Sequence, residues 1–132
     1  MSTELLPVGA YLAWWYVDSH FGVTRSQIYY EDGRVEALEG DERTELCRFT
    51  SEQVAAARQA VVSSGLPASA DSPADQMHDA APLTYAWRLG GEEGSVSNVG
   101  YPATRHDAID RLEAALADLE EDAGCWPVMA DE

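Results

Sequence analysis

Two stretches of the chain repeat one succession of patterns, an apolar hairpin followed by a capped helical segment: Tyr11 to Ser64, then Leu83 to Glu121 after a polar loop. From Tyr11 to Val17 nearly every position is apolar. Tyr11, Ala13, Trp15 and Val17 fall on one side of an extended chain and Leu12, Trp14 and Tyr16 on the other. A strand apolar on both sides belongs at the centre of a sheet or under cover on both faces. Asp18, Ser19, His20, Phe21 and Gly22 supply a turn, and Thr24 to Tyr30 returns with Ile28 and Tyr30 alternating against Gln27 and Tyr29. The strongest hairpin signal is Glu31, Asp32 and Gly33, because Asp-Gly suits the positive φ angles of a tight turn. Arg34 to Leu38 follows as a short third strand. Glu39 to Glu45 is charged and breaks the alternation, so extension resumes only at Leu46 to Phe49.

The first helix is marked at both ends. Thr50 and Gln53 have the spacing of a capping box, and Phe49 and Val54 that of a hydrophobic staple. Gly65 suits the left-handed residue that closes a helix, with Leu66 placed against Val61. The pattern therefore predicts a helix over Ser51 to Ser64, with Val54, Ala57, Val61 and Val62 inward and Glu52 and Arg58 in water. Residues 67–82 are rich in Ala, Ser, Asp and Pro without helical or strand period, which reads as a long surface loop. Leu83, Tyr85, Trp87 and Leu89 then alternate as a half-buried strand, the glycines and glutamates from Gly90 to Gly94 turn the chain, and Ser95 to Val99 returns. After Pro102, Thr104 with Asp107 offers a cap for a last helix. Its apolar stripe is Ile109, Leu112, Leu116 and Leu119, and Asp107, Asp110, Glu113, Asp118, Glu120 and Glu121 form an acidic remainder.

These elements predict a single α+β domain over residues 11–121, between a loose leader at 1–10 and a tail at 122–132. Its architecture is a four- to five-stranded antiparallel sheet with two helices on one face, in the order ββ(β)αββα. A chain of 132 residues suits one core.

Charge changes the picture more than size does. The 24 acidic residues face 8 basic ones, all arginine, for a formal net charge of −16. Nucleic-acid affinity rests on Lys and Arg displacing counterions, so direct binding to nucleic acid or to an anionic membrane is not expected. A solvated surface, adaptation to high salt and docking on a basic partner all remain open. No basic segment precedes an apolar run at the N-terminus, so the expected location is cytoplasmic. In that setting Cys47 and Cys125 are expected as free thiols, with a bridge between tail and body as the alternative.

Candidate chemistry is sparse. His20, His78 and His106 lack the i, i+4 pairing of zinc-binding helices, so no metal or other cofactor is expected. Asp75, His78 and Asp79 form the most reactive polar cluster, and they carry the alternative reading of an enzyme or small-ligand binder. No serine sits in a strand-turn-helix elbow, and the acidic turn at Gly90 and Gly91 joins strands where a phosphate loop would open a helix. The aromatic residues offer more. Most of them are expected to fill the core; two helices cover one face of such a sheet, and in the alternative Trp14, Tyr16 and Tyr29 lie on the other face and form a binding patch, of the residue types that carry interface energy.

In its order of parts the chain resembles the emfourin family, small inhibitors of thermolysin-like metallopeptidases. The matching segments are Phe21-Gly22-Val23, Phe49-Thr50-Ser51-Glu52, Gly65-Leu66-Pro67, Asp79 with Tyr85, and Ile109 with Leu112. The family's N-terminal Ser-Gly-Gly segment has no clean counterpart in Asp18 to Gly22. The resemblance implies an α+β fold and inhibition of a protease. The expected function is thus a non-catalytic protein-binding module, not an enzyme. Its contact residues are Trp14, Tyr16, His20, Phe21, Gly22, Tyr29, Asp75, His78 and Asp79. The alternative is an acidic, immunity-like or DNA-mimicking protein that docks on a basic partner through its carboxylates.

Overall fold

Six strands, Ala10–Asp18 (β1), Val23–Tyr30 (β2), Arg34–Glu39 (β3), Glu42–Arg48 (β4), Leu83–Leu89 (β5) and Glu92–Asn98 (β6), form one sheet in the order β4-β3-β2-β1-β5-β6. Every neighbouring pair is antiparallel. The computed structural model describes residues 6–18, 23–40, 42–68, 83–98 and 106–125, with Val17, Asp18 and Val23 described by backbone alone. The doubly apolar β1 lies at the centre as its pattern requires. The four- to five-strand expectation is corrected by β4, which pairs along β3 from Arg34 opposite Arg48 to Glu39 opposite Glu42. Its side chains do not alternate because it is a sheet edge whose residues are mostly exposed. Charged residues suit that place, since they discourage pairing with another chain.

Helices Ser51–Ser64 (α1) and Asp107–Ala123 (α2) pack on each other and on one face of the sheet, over Leu12, Tyr29, Val35, Tyr85, Trp87 and Val96. A bulge in β1 between Ala10 and Leu12 sends Tyr11 to this same face, away from the side it would share with Ala13 in a regular strand. Ala13, Ile28, Tyr30 and Ala86 form a second cluster on the opposite face, joined by Leu6, Ala10, Trp15 and Leu38. Leu6 is buried there, and the Arg88 guanidinium donates to the Leu6 carbonyl at 3.0 Å and to the Pro7 carbonyl at 3.2 Å. These contacts hold residues 6–10 on the sheet; residues 1–5 of the expected leader lie outside the described residues.

Local signals place most boundaries. The Thr50 hydroxyl accepts from the Gln53 amide at 3.1 Å, and the Gln53 side chain accepts from the Thr50 amide at 2.9 Å, closing the capping box. Val54, Ala57 and Val61 are buried as expected, but Val62 is 56% exposed because it lies one residue round the helix from that face. Gly33 takes a φ of 103° in the β2–β3 turn and sits against the Phe49 carbonyl, where any side chain would collide. The β5–β6 turn is only Gly90 and Gly91, both at positive φ, so β6 starts at Glu92, ahead of the expected Ser95. At α2 the cap is His106, whose Nδ1 accepts from the Ile109 amide; the expected Thr104 lies outside the described residues.

Cys47 of β4 and Cys125, just past α2, form a disulfide with Cα atoms 4.6 Å apart. The expectation of free thiols is corrected. Packing the end of α2 over the β4 edge brings together two cysteines 78 residues apart.

Candidate functional site

Alternation along β2 turns Gln27 and Tyr29 toward the helices, and the turn of α2 that follows Leu116 brings Glu120 onto them. Gln27 donates from Nε2 to Glu120 Oε2 at 2.9 Å and to the Tyr29 hydroxyl oxygen at 2.8 Å. The Tyr29 hydroxyl in turn donates to the same carboxylate oxygen. All three side chains are buried, with Glu120 only 7% exposed. A carboxylate taken out of water is strongly destabilising unless donors replace the lost hydration, and here two neutral donors converge on one oxygen. Burial first, and then the Glu120 charge, push the Tyr29 phenol well above its ordinary range, while a hydrogen bond from Trp14 acts the other way. Tyr29 therefore stays protonated and keeps donating.

The triad forms the floor of a cleft of about 180 Å³ between the sheet and α2. Trp14 and Tyr85 line it from β1 and β5, and Glu113, Leu116 and Ala117 from α2. Residues 113, 116, 117 and 120 follow the spacing of one helix face. Trp14 and Tyr85 lie with ring centres 6.5 Å apart, and Tyr16 stacks on Trp14 at 6.2 Å with planes 19° apart. Trp14 and Tyr16 are only partly buried, so one aromatic pair both packs on the core and reaches the surface. Glu113 on the cleft and Asp118 further round α2 are exposed.

Of the two readings of the aromatic residues, the structure follows the one that fills the core and departs from the open-face patch. Trp14, Tyr16 and Tyr29 lie on the helix-covered face, and Tyr29 is buried outright. The helices cover Leu12, Tyr85, Trp87 and Val96, while Ala13 and Ala86 lie with Ile28 and Tyr30 on the opposite face. Trp14 and Tyr29 thus meet in one cleft, with Tyr16 adjoining through Trp14. His20, Phe21, Gly22, Asp75, His78 and Asp79 lie outside the described residues. Among the described residues no group of three His, Cys, Asp or Glu could hold a metal ion, and no helix is long and apolar enough to cross a membrane.

Glu120, Gln27, Glu113 and Tyr85 are the site residues that sequence reasoning passed over. Glu120 falls in the acidic remainder of the helical pattern, yet it lies four residues after Leu116 and continues the inward line of Ile109 and Leu112. Its signal was the pairing of that position with the inward Gln27, a polar partner for a polar intruder. Comparison with known proteins finds no family model that matches this chain and no curated protein similar to it in sequence.

Proposed function

We propose that this chain is a non-catalytic protein-binding module whose contact surface runs from the Trp14–Tyr16 stack across the cleft to the outer face of α2. The observation that carries the reading is the partly exposed aromatic stack beside an open cleft. Trp and Tyr at such positions supply interface area at small entropic cost. The specific form implied by the emfourin resemblance is a protease inhibitor. Its test is the residual activity of a thermolysin-like metallopeptidase incubated with the protein; undiminished activity removes that form.

The acidic docking alternative is favoured by the exposed Asp107, Glu113, Asp118, Glu121 and Asp122 of α2. Affinity capture at about 50 and 500 mM salt separates the two, because these concentrations bracket weak and strong screening of surface charge. Capture that survives high salt and is lost in the Trp14→Ala/Tyr16→Ala variant supports the aromatic surface. Capture lost at high salt, or in a variant with Asp110, Glu113 and Asp118 neutralised, supports acidic docking. As for location, disulfides persist in oxidising compartments, so the Cys47–Cys125 bridge counts against the cytoplasmic expectation. Thiol labelling in intact cells tests this: two reactive cysteines would return the protein to the cytoplasm.

A further inference from the structure

We infer that the Cys47–Cys125 bridge is a redox latch on the last turn of α2: oxidation closes it and holds Glu120 on β2, and a dithiol opens it and lets that turn leave the sheet. The inference concerns the chain alone and stands whether or not the protein-binding reading does. Through Leu116 the buried residues of α2 are apolar, Ala108, Ile109, Leu112 and Leu116. Beyond it, among the described residues, the buried ones are Glu120, a carboxylate, and Cys125, the bridge itself, while Leu119 and Ala123 are only partly buried. Hydrogen bonds and a covalent bond thus take over at the end of α2 from the apolar burial that seats its earlier turns.

Charge works against that end. The last turn carries Glu120, Glu121 and Asp122 and no basic residue, at the terminus where aligned peptide dipoles concentrate negative charge. Asp118 and Asp122, both exposed and four residues apart, add a like-charge pair. Cap and bridge also share a residue. The Cys125 amide donates to the Glu120 carbonyl at 2.9 Å, and the amide of Gly124, at positive φ, donates to the Glu121 carbonyl at 3.2 Å. Cutting the bridge therefore loosens the cap of the very turn that carries Glu120. Cys47 stays in place, because the β3–β4 ladder holds it opposite Val35.

A thiolate of the dithiol attacks the sulfur of Cys47, the less buried of the two, and forms a mixed disulfide as the bridge breaks; the Cys125 sulfur leaves with the electron pair and takes a proton. The second thiolate then attacks the mixed disulfide, the Cys47 sulfur leaves and is protonated, and the reductant departs as its own disulfide. Two electrons and two protons have passed to the chain. Once the turn is free, Glu120 withdraws from Gln27 and Tyr29, the cleft loses its floor, and water replaces the carboxylate as their partner.

The test is backbone amide relaxation by NMR on the whole protein, oxidised and then with excess dithiothreitol. Reduction should lower the order parameters of Glu121 to Cys125 from a rigid value of about 0.85 to below about 0.6. It should also move the indole resonance of Trp14, which hydrogen-bonds Tyr29, while the amides of α1 and β6 keep their positions. Cys47→Ser/Cys125→Ser should match the reduced chain. Glu121→Arg/Asp122→Arg, exposed changes that give the helix end the cations its dipole favours, should keep the turn ordered after reduction. Order parameters that reduction leaves unchanged would overturn the inference and mark the bridge as a staple acting on the unfolded chain alone. So would a bridge that the folded chain withholds from dithiothreitol, or loss of resonance dispersion throughout the sheet, the sign of global unfolding. A freed turn with an unmoved Trp14 resonance would overturn it too, since Glu120 would then hold its place without the latch.

Discussion

Glu120 is the residue on which core and candidate site meet, since one carboxylate ties α2 to β2 and also floors the cleft. Glu120→Ala would leave the Gln27 amide and the Tyr29 hydroxyl buried without that acceptor. A loss of about 3 kcal/mol is expected in urea denaturation, with Glu120→Gln losing clearly less. Tyr29 and Tyr11 add a pH dependence. Burial raises both phenols above their ordinary range, so the folded chain keeps these protons to higher pH than the unfolded chain, whose tyrosines ionise near pH 10. Their contribution is full below about pH 10 and declines above it, as the unfolded state releases protons that the folded state retains. Thermal melts between pH 8 and pH 11, about the ordinary tyrosine pKa, should show this decline, and Tyr29→Phe should make it shallower. Trp14 and Tyr29 were legible as candidates from residue type and alternation. Their face was not, because β1 is apolar on both sides and nothing local says which side the helices will take. Glu120 was hidden for the opposite reason, as an acid among acids whose partner lies 93 residues away.

Elements with local signals were the readable ones. The ends of α1 follow from Thr50, Gln53 and Gly65, each of which satisfies backbone groups that the helix leaves free. Thr50→Ala should therefore cost about 1 kcal/mol, measurable by chemical denaturation. Gly33→Ala should be more damaging, by about 2 kcal/mol or more, because the residue combines a φ of 103° with close approach to the Phe49 carbonyl. β4 could not be read in the same way. Its residues pair on one edge only and stay in water, so selection for solubility replaced the alternation that marks a half-buried strand. The Tyr11 bulge was equally silent, since an extra residue in a uniformly apolar strand leaves no break in pattern. Its effect is nonetheless large, for it adds a tyrosine to the helix-covered core.

At the scale of the whole molecule, stability opposes crowded negative charge. Repulsion among the carboxylates weakens as the screening length falls from about 30 Å at 0.01 M salt to about 3 Å at 1 M, so the melting temperature should rise across that range. A chain that unfolds outright at the low end would identify the acidity as adaptation to high salt. The disulfide acts on the same balance from the unfolded side. Closing a loop of 78 residues restricts the unfolded chain by about 4.5 kcal/mol, and reduction or the Cys47→Ala/Cys125→Ala variant should lose most of that in denaturant titration. The bridge also fixes a covalent circuit from β4 through both helices and the second hairpin to the end of α2. A peptide bond cut anywhere on that circuit leaves two pieces still joined through sulfur, so a nicked molecule keeps its full mass until a reductant parts it.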